Sequence, residues 1–348
     1  MDKSKRPRIK DVARVAGVSE GTVSVVLNGR VGENVRVSEK TQEKIWDAVR
    51  QLGYVANPVA QRLAGGENRI IAVFTFESIF PIDVSSFYYP FLIGIEQEAD
   101  QLGYDLLLIT GSTDSLSGKR RIYKDNVNRL SRADGAILLG HGDKQEVYRL
   151  LEEDFPFVYV GRRESPEDAI SYVGADYIEA TKQIVCYLFD RGHHRIAYLH
   201  TERTYEASRD RLYGFAESHE ENNIPLNRTQ IWSGDMTDLN AGVIQSYLDE
   251  GITAFVAEDD SIGHRVLELG ADMGLNCPDD YSLAVLGNPL NPMQETPNWT
   301  SFNIPRKEMG QHAMQLLVEI LQAKRREAIE LPLRRTLTCE FVVGDTVS

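Results

Sequence analysis

The residues with the clearest chemical potential near the amino end are short and hydrogen-bonding. Ser19, Thr22, Ser24 and Asn28 fall within the stretch Ser19-Glu20-Gly21-Thr22-Val23-Ser24-Val25-Val26-Leu27-Asn28. Side chains of this size can reach phosphates or base edges with little loss of rotamer entropy. Ser19-x-x-Thr22 is also an ordinary helix-capping spacing, so spacing alone leaves both readings open. Catalytic signals are weak elsewhere. His193-His194 is not at the spacing of a metal pair on a helix, and Gly140-His141-Gly142 lacks the rest of a dinucleotide-binding pattern. Cys186, Cys277 and Cys339 stand far apart, outside any C-x-x-C spacing, which speaks for a reducing compartment and against a zinc module. The acidic pairs Asp259-Asp260 and Asp279-Asp280 read most simply as solvated loop residues. The expectation is therefore a non-enzyme with no catalytic residue, metal or cofactor.

The elements that must carry the hydroxyl cluster are short helices. Ile9, Val12, Ala13 and Ala16 share one face at i, i+3, i+4 and i+7, and Gly17 suits a left-handed stop. Ser19 then caps a second helix, Glu20 to Leu27, with Val23, Val26 and Leu27 inward. The tight turn Ala16-Gly17-Val18-Ser19 makes this pair a helix-turn-helix, whose second helix enters the major groove amino end first. A third helix runs from the Ser38 cap to Leu52, with Ile45, Ala48, Val49 and Leu52 inward. Beyond it, Asn57-Pro58 followed by Gly65-Gly66 frames a short helix over 57–64. Helices under roughly 12–15 residues are marginal alone in water, so this one needs something to pack against.

From Ile70 the apolar period changes. Runs at 70–76, 105–110, 135–140, 157–161, 195–200, 254–258 and 282–287 predict buried strands, and amphipathic stretches at 90–102, 176–191, 209–222 and 261–273 predict helices between them. Continuous apolar strands alternating with helices imply parallel sheets covered on both faces, as one large sheet or two doubly wound lobes. Ligands in such folds sit beyond the carboxyl ends of the strands.

The chain of 348 residues carries a formal charge of −14, which at first argues against a polyanionic partner. The charge is unevenly placed. Residues 1–69 hold 13 Lys/Arg against 8 Asp/Glu, a net of +5, which leaves 25 against 44, a net of −19, for residues 70–348. A small basic end on an acidic body is the footprint of a nucleic-acid-binding segment. No apolar run approaches the roughly 20 residues of a membrane span, and no secretory signal follows the polar amino terminus; a cytoplasmic protein is expected.

The stretch 9–28, IKDVARVAGVSEGTVSVVLN, resembles the DNA-binding headpiece of the LacI/GalR family of bacterial transcription regulators. Val37-Ser38-Glu39-Lys40-Thr41 with Leu52-Gly53-Tyr54 resembles its third helix, and NPVAQRLAG from Asn57 its hinge helix. Further matches follow in family order: Gly94-Ile95-Glu96, Leu102-Gly103-Tyr104, the segment 191–197, Arg211-Leu212-Tyr213-Gly214-Phe215, and Pro305 with Gly310. The resemblance covers nearly the whole chain. It implies a small all-α helix-turn-helix headpiece plus an α/β periplasmic-binding-protein-like core of two doubly wound parallel-sheet lobes. The implied organisation is a headpiece at 1–56, a hinge at 57–69, and an effector-binding and dimerisation domain at 70–348. Within that domain one lobe takes about 70–172 and 304–332, and the other about 173–303 and 333–348.

By the same resemblance the protein is a homodimeric repressor of a near-palindromic double-stranded operator. Ile9, Ser19, Glu20, Gly21, Thr22, Ser24, Val25, Asn28, Ser38, Thr41, Asn57 and Ala60 are its implied DNA contacts, with Leu63 as the wedge in the minor groove. Val25 stands where many members carry a base-reading Arg, so the usual operator preference does not transfer. A small-molecule effector, a carbohydrate by family habit, is implied between the lobes near Phe87, Tyr88, Arg162, Arg211, Met236, Glu258 and Asp259. A guanidinium fork at Arg211 suits vicinal hydroxyls or a carboxylate. Tyr88 is the expected aromatic platform, and Phe87 the more plausible core residue. Asn288-Pro289 replaces an aromatic and a ligand-holding Asp, so a carboxylate is missing there, and Glu258 replaces an Asn. The competing classes are a solute-binding protein without regulatory role, against which the headpiece speaks, and a sugar-processing enzyme fused to a helix-turn-helix.

Overall fold

The computed structural model describes residues 7–27, 36–54, 68–77, 87–111, 119–202, 205–289, 297–326 and 331–348. The chain divides into two compact units, Met1–Ile70 and Ile71–Ser348.

The first unit holds α1 (Ile9–Ala16), α2 (Glu20–Leu27) and α3 (Glu39–Leu52). Gly17 (φ 70) and Gly53 (φ 57) end α1 and α3 in the left-handed region. Ser38 Oγ accepts from the Thr41 backbone N–H at 3.3 Å and starts α3. Val12, Ala13, Val23, Val26, Ile45 and Ala48 form the buried core, and Ile9, Leu27, Val49 and Leu52 pack around it half-exposed. The expected hinge helix at 57–64 lies outside the described residues.

The second unit alternates strands and helices as its apolar runs predict. In chain order it comprises β1 (Ile70–Thr75), α4 (Tyr89–Leu102), β2 (Asp105–Ile109), the short β3 (Tyr123–Lys124) and β4 (Val127–Asn128), β5 (Gly135–Leu139), α5 (Lys144–Glu152), β6 (Phe157–Val160) and β7 (Tyr172–Ala175). There follow α6 (Tyr177–Asp190), β8 (Ile196–Thr201), α7 (Glu206–Glu221), β9 (Ile231–Gly234), α8 (Ala241–Asp249), β10 (Ala254–Ala257), α9 (Asp260–Asp272) and β11 (Ser282–Val285). The end of the chain gives β12 (Ser301–Asn303), α10 (Arg306–Arg326), β13 (Arg334–Leu337) and β14 (Glu340–Val342). One sheet has the order β13-β7-β6-β5-β1-β2 and the other β11-β10-β8-β9, while β12 and β14 pair antiparallel where the chain passes between the two layers. Strands β5, β6, β10 and β11 are buried at every residue, as parallel strands covered on both faces must be.

Two expected lobe boundaries move. β7 pairs with β6, and β13 with β7, so both belong to the six-stranded sheet. The first crossing follows Ala175 rather than residue 172, and the last follows Leu337 rather than residue 332. Arg334-Arg335-Thr336-Leu337 alternates exposed and half-buried, the mark of an edge strand that shows no apolar run.

Glycine sets the spacing of the helix pairs that position the functional residues. A Cβ at Gly94 would collide with the Lys307 carbonyl oxygen, and one at Gly310 with that of Phe91, so α4 and α10 cross backbone to backbone. A Cβ at Gly214 would stand 2.5 Å from the Ile178 carbonyl oxygen, which fixes α7 against α6. That contact holds Arg211, one turn earlier on α7, over the ring of Tyr177 at the start of α6.

Candidate nucleic-acid interface and ligand site

In the first unit, the amino end of α2 presents Ser19, Glu20 and Gly21 exposed, with Thr22, Ser24 and Val25 half-buried beside them. Ser19 Oγ accepts from the Thr22 backbone N–H at 3.1 Å and meets Thr22 Oγ1 at 2.8 Å; Ser38 and Thr41 repeat the pair at 2.8 Å on α3. Both open readings of Ser19-x-x-Thr22 therefore share one geometry: the hydroxyls cap the helix and stand on its exposed end, where the helix dipole favours anions. Exposed Arg8, Lys10, Arg36, Lys40 and Lys44 surround these amino ends in sequence. Ile9 is half-buried against the headpiece core. Asn28, Asn57, Ala60 and Leu63 lie outside the described residues.

In the second unit, the residues of interest collect beyond the carboxyl ends of β5, β6, β8, β10 and β11, where parallel sheets bind ligands. The loop after β6 reaches α7. Arg162 donates to both oxygens of Asp210, at 2.8 and 2.7 Å, and to Glu164 at 3.0 Å; Arg209 meets Glu164 at 2.6 Å. Arg163 lies 3.8 Å from Glu206, donates to the Gly140 carbonyl at 2.9 Å and covers the Tyr159 ring. His141 stacks on Tyr205 with ring centroids 3.6 Å apart. Burial, then the charges of Arg163 and Lys119, push the imidazole of His141 down to about 3, so it stacks as a neutral ring. These contacts clasp the two sheet layers together, and they assign Arg162 to the clasp.

We expect Arg162→Ala and Asp210→Ala to lower stability to urea by similar amounts, with the double variant little worse than either. The coupling should be about 1–2 kcal/mol, above an exposed pair because the contact is bidentate and Asp210 is largely covered. Fully additive losses in the double-mutant cycle would remove the clasp.

Tyr88 and Phe87 exchange their expected burial. Tyr88 is 9% exposed and its hydroxyl donates to Glu77, so it is a core residue with a polar tip rather than an open platform. Burial first, then the Glu77 charge, raise the Tyr88 pKa well above the phenolic range. Phe87 is half-buried, and Arg306 covers its face with the guanidinium carbon 4.7 Å from the ring centre. Asp259 accepts from the Ile262 backbone N–H at 3.0 Å as the cap of α9. Met236 packs with Trp232 on the core of the four-stranded sheet. Glu258 is buried; desolvation raises its carboxyl, against a Ser208 hydrogen bond and the charge of Arg211. Asn288, the first residue of the Asn288-Pro289 pair, ties the crossing: it donates to Asn303 at 2.8 Å and accepts from the Ile304 N–H at 2.5 Å.

Sequence reasoning passed over Arg163, Glu206, Asp210 and Arg306. The clasp pairs lie more than forty residues apart in the chain, so no local pattern shows them. Arg306 carried one signal, because a cation at the first turn of a helix opposes its dipole and needs a reason to be there.

Residues 8–57 match the family model of bacterial regulatory proteins of the lacI family, and residues 185–347 match that of the periplasmic binding protein-like domain. The chain is 30% identical to the HTH-type transcriptional regulator CelR of Thermobifida fusca, across 97% of this chain and 98% of that protein. It is also 30% identical to the HTH-type transcriptional repressor PurR of Vibrio vulnificus, across 97% and 98%. Among solved structures, a complex of the transcriptional regulator CelR with cellobiose superposes with a TM-score of 0.64 at 28% identity, covering 98% of this chain and 100% of that one.

Proposed function

Since this chain belongs to the LacI family of bacterial DNA-binding transcriptional regulators, we propose that it is a cytoplasmic repressor that grips a near-palindromic operator as a homodimer and answers to a small-molecule effector between its two sheet layers. Residues 1–56 form the reading head, 57–69 the hinge, and 70–348 the effector and dimer domain, with the lobes exchanging at the crossings after Ala175 and Leu337. The observation that carries the reading is the exposed amino end of α2, with its short hydroxyls, on a basic unit whose core is independent of the acidic remainder. The dimer is supported by Leu106 and Leu108, each more than a third exposed on the edge strand β2, where an apolar edge calls for a partner. A sugar effector is supported by the cellobiose in the structure of CelR. The effector acts only through its difference in affinity for the two lobe arrangements.

Selection of bound sequences from random DNA by the full chain tests this reading. The expected product is a two-fold symmetric site whose half-sites differ from those read by an Arg at position 25, because Val25 cannot fork onto guanine. Recovery of unsymmetrical or unrelated sequences would overturn the reading.

A further inference from the structure

On one side, the clasp between the layers is drawn from a single helix end. Tyr205, Glu206, Arg209 and Asp210 stand at the amino end of α7, and they meet His141, Arg162, Arg163 and Glu164, which follow β5 and β6 of the other layer. Signs alternate across the seam: Arg162 holds Asp210, Arg163 lies 3.8 Å from Glu206, and Glu164 holds Arg209. The Glu164 backbone N–H also donates to Glu206 at 3.3 Å. At roughly 100° of turn per residue, Glu206, Arg209 and Asp210 leave the helix about 100° or more away from Arg211. Arg211 faces Tyr177, just after the crossing at Ala175. The clasp therefore closes the seam on the side turned from that crossing, where a contact has leverage over the angle between the layers.

The energy of this closure is balanced rather than one-sided. The Arg162–Asp210 fork makes two charge-assisted bonds and is its strongest part. Glu206, by contrast, is 4% exposed and meets Arg163 only at 3.8 Å, so desolvation offsets much of what that pair gains. The Arg209–Glu164 pair is about half exposed and contributes little. A closure built this way holds, yet it breaks within reach of a small ligand's difference in affinity for the two forms. Arg211 follows Asp210 directly on the same helix, and Gly214, packed on the Ile178 carbonyl, keeps that helix from sliding on α6. A ligand that displaces Arg211 therefore pulls on the clasp.

We propose that the clasp is a latch: contacts between protein groups hold the two layers closed, and the latch must open before an effector enters or leaves. The inference rests on the effector reading above for its use, but not for its existence. Arg162 and Asp210 are the residues that set the balance between the closed and open forms.

The test uses the full chain with no added ligand, its near-isosteric Asp210→Asn and Glu206→Gln variants, and diethyl pyrocarbonate at about pH 7.5 as the probe. That reagent acylates a neutral imidazole that it can reach. His141 is neutral in the stack, where its pKa is brought down to about 3, and an exposed imidazole near 6.5 is largely neutral at that pH too. Its rate of modification, read by peptide mapping, therefore reports access rather than charge. His219 is 1% exposed in the core of the other layer and serves as the folding control. Wild-type His141 should react slowly. Asp210→Asn should speed it by about fivefold to thirtyfold, Glu206→Gln should change it little, and His219 should stay slow throughout. If Asp210→Asn exposes His219 as well, Arg162→Lys gives the same reading with the carboxylate intact. His141 reacting as fast in the wild type as in these variants would overturn the latch and leave the repressor reading standing. Opening of the latch should also shift operator affinity with no ligand present. If His141 is exposed and operator affinity does not move, the latch stands and control of DNA binding by the layers falls.

Discussion

Gly310→Ala should lower the stability of the large unit by an amount at the upper end of the ~1–3 kcal/mol typical of overpacking, and Gly94→Ala should do the same. In both cases the added methyl meets a backbone carbonyl, Phe91 for Gly310 and Lys307 for Gly94. A carbonyl held in a helix cannot step aside as a flexible side chain can, so relief requires α4 and α10 to separate. That separation would open the core that Phe91, Ile95, Met309, Ala313 and Met314 fill. The displacement also reaches the site, because α10 begins at Arg306 and α4 follows Tyr88. In a protein of this size the loss corresponds to a fall of several degrees in melting temperature, roughly 2–4 °C per kcal/mol. The double variant tests the mechanism. Once the helices have parted for one methyl, the second should cost much less than the first, so strict additivity in calorimetry would speak against a shared crossing.

Some of this geometry was legible in the sequence. Gly135-Ala136-Ile137-Leu138-Leu139 and Ala254-Phe255-Val256-Ala257 read as buried strands because every residue is apolar, and every residue is buried. The edge strand Arg334–Leu337 was not, because half of it faces solvent and its pattern resembles a loop. Helix α10 has no single apolar stripe: Ala313, Met314, Leu316, Leu317, Val318, Ile320 and Leu321 are all buried, so the 3.6-residue period is blurred where the helix is covered on several sides.

The site divides in the same way. Arg211 was singled out only through its resemblance to a family arginine, while the packing of Gly214 on Ile178 fixes the helix that carries it. Tyr88 was expected as a stacking face from its place in the family pattern, whereas Glu77 supplies the hydrogen bond that lets a tyrosine sit in a core. Arg162, Asp210 and Arg306 act across layers, and local periodicity carries no information about which charges a fold will bring together. What the sequence does carry is their types, and arginines near strand ends and helix starts are where to look.

Removing residues 1–69 should abolish sequence-specific DNA binding and leave the remainder folding cooperatively. The two halves of this expectation rest on different observations. Folding should survive because the second unit buries its own two clusters, which share no residue with the core of Val12, Ala13, Val23, Val26, Ile45 and Ala48. Binding should vanish because the deletion takes away α2 and a net charge of +5, leaving −19 on the rest. For the full chain, affinity should fall steeply as salt rises, since each cation that meets a phosphate releases a counterion. The truncated chain has no such contacts to lose, so a gel-shift titration should find no binding at any salt. The acidic body thus becomes a test of where affinity resides: if it only dilutes the measured net charge, neutralising its exposed carboxylates should leave the full chain's non-specific binding unchanged. If it repels the phosphates, as a charge of −19 within a Debye length of about 10 Å would, those variants should bind random DNA more tightly while the operator preference narrows. Retention of operator binding by the truncated chain would place the reading surface outside the helix-turn-helix altogether.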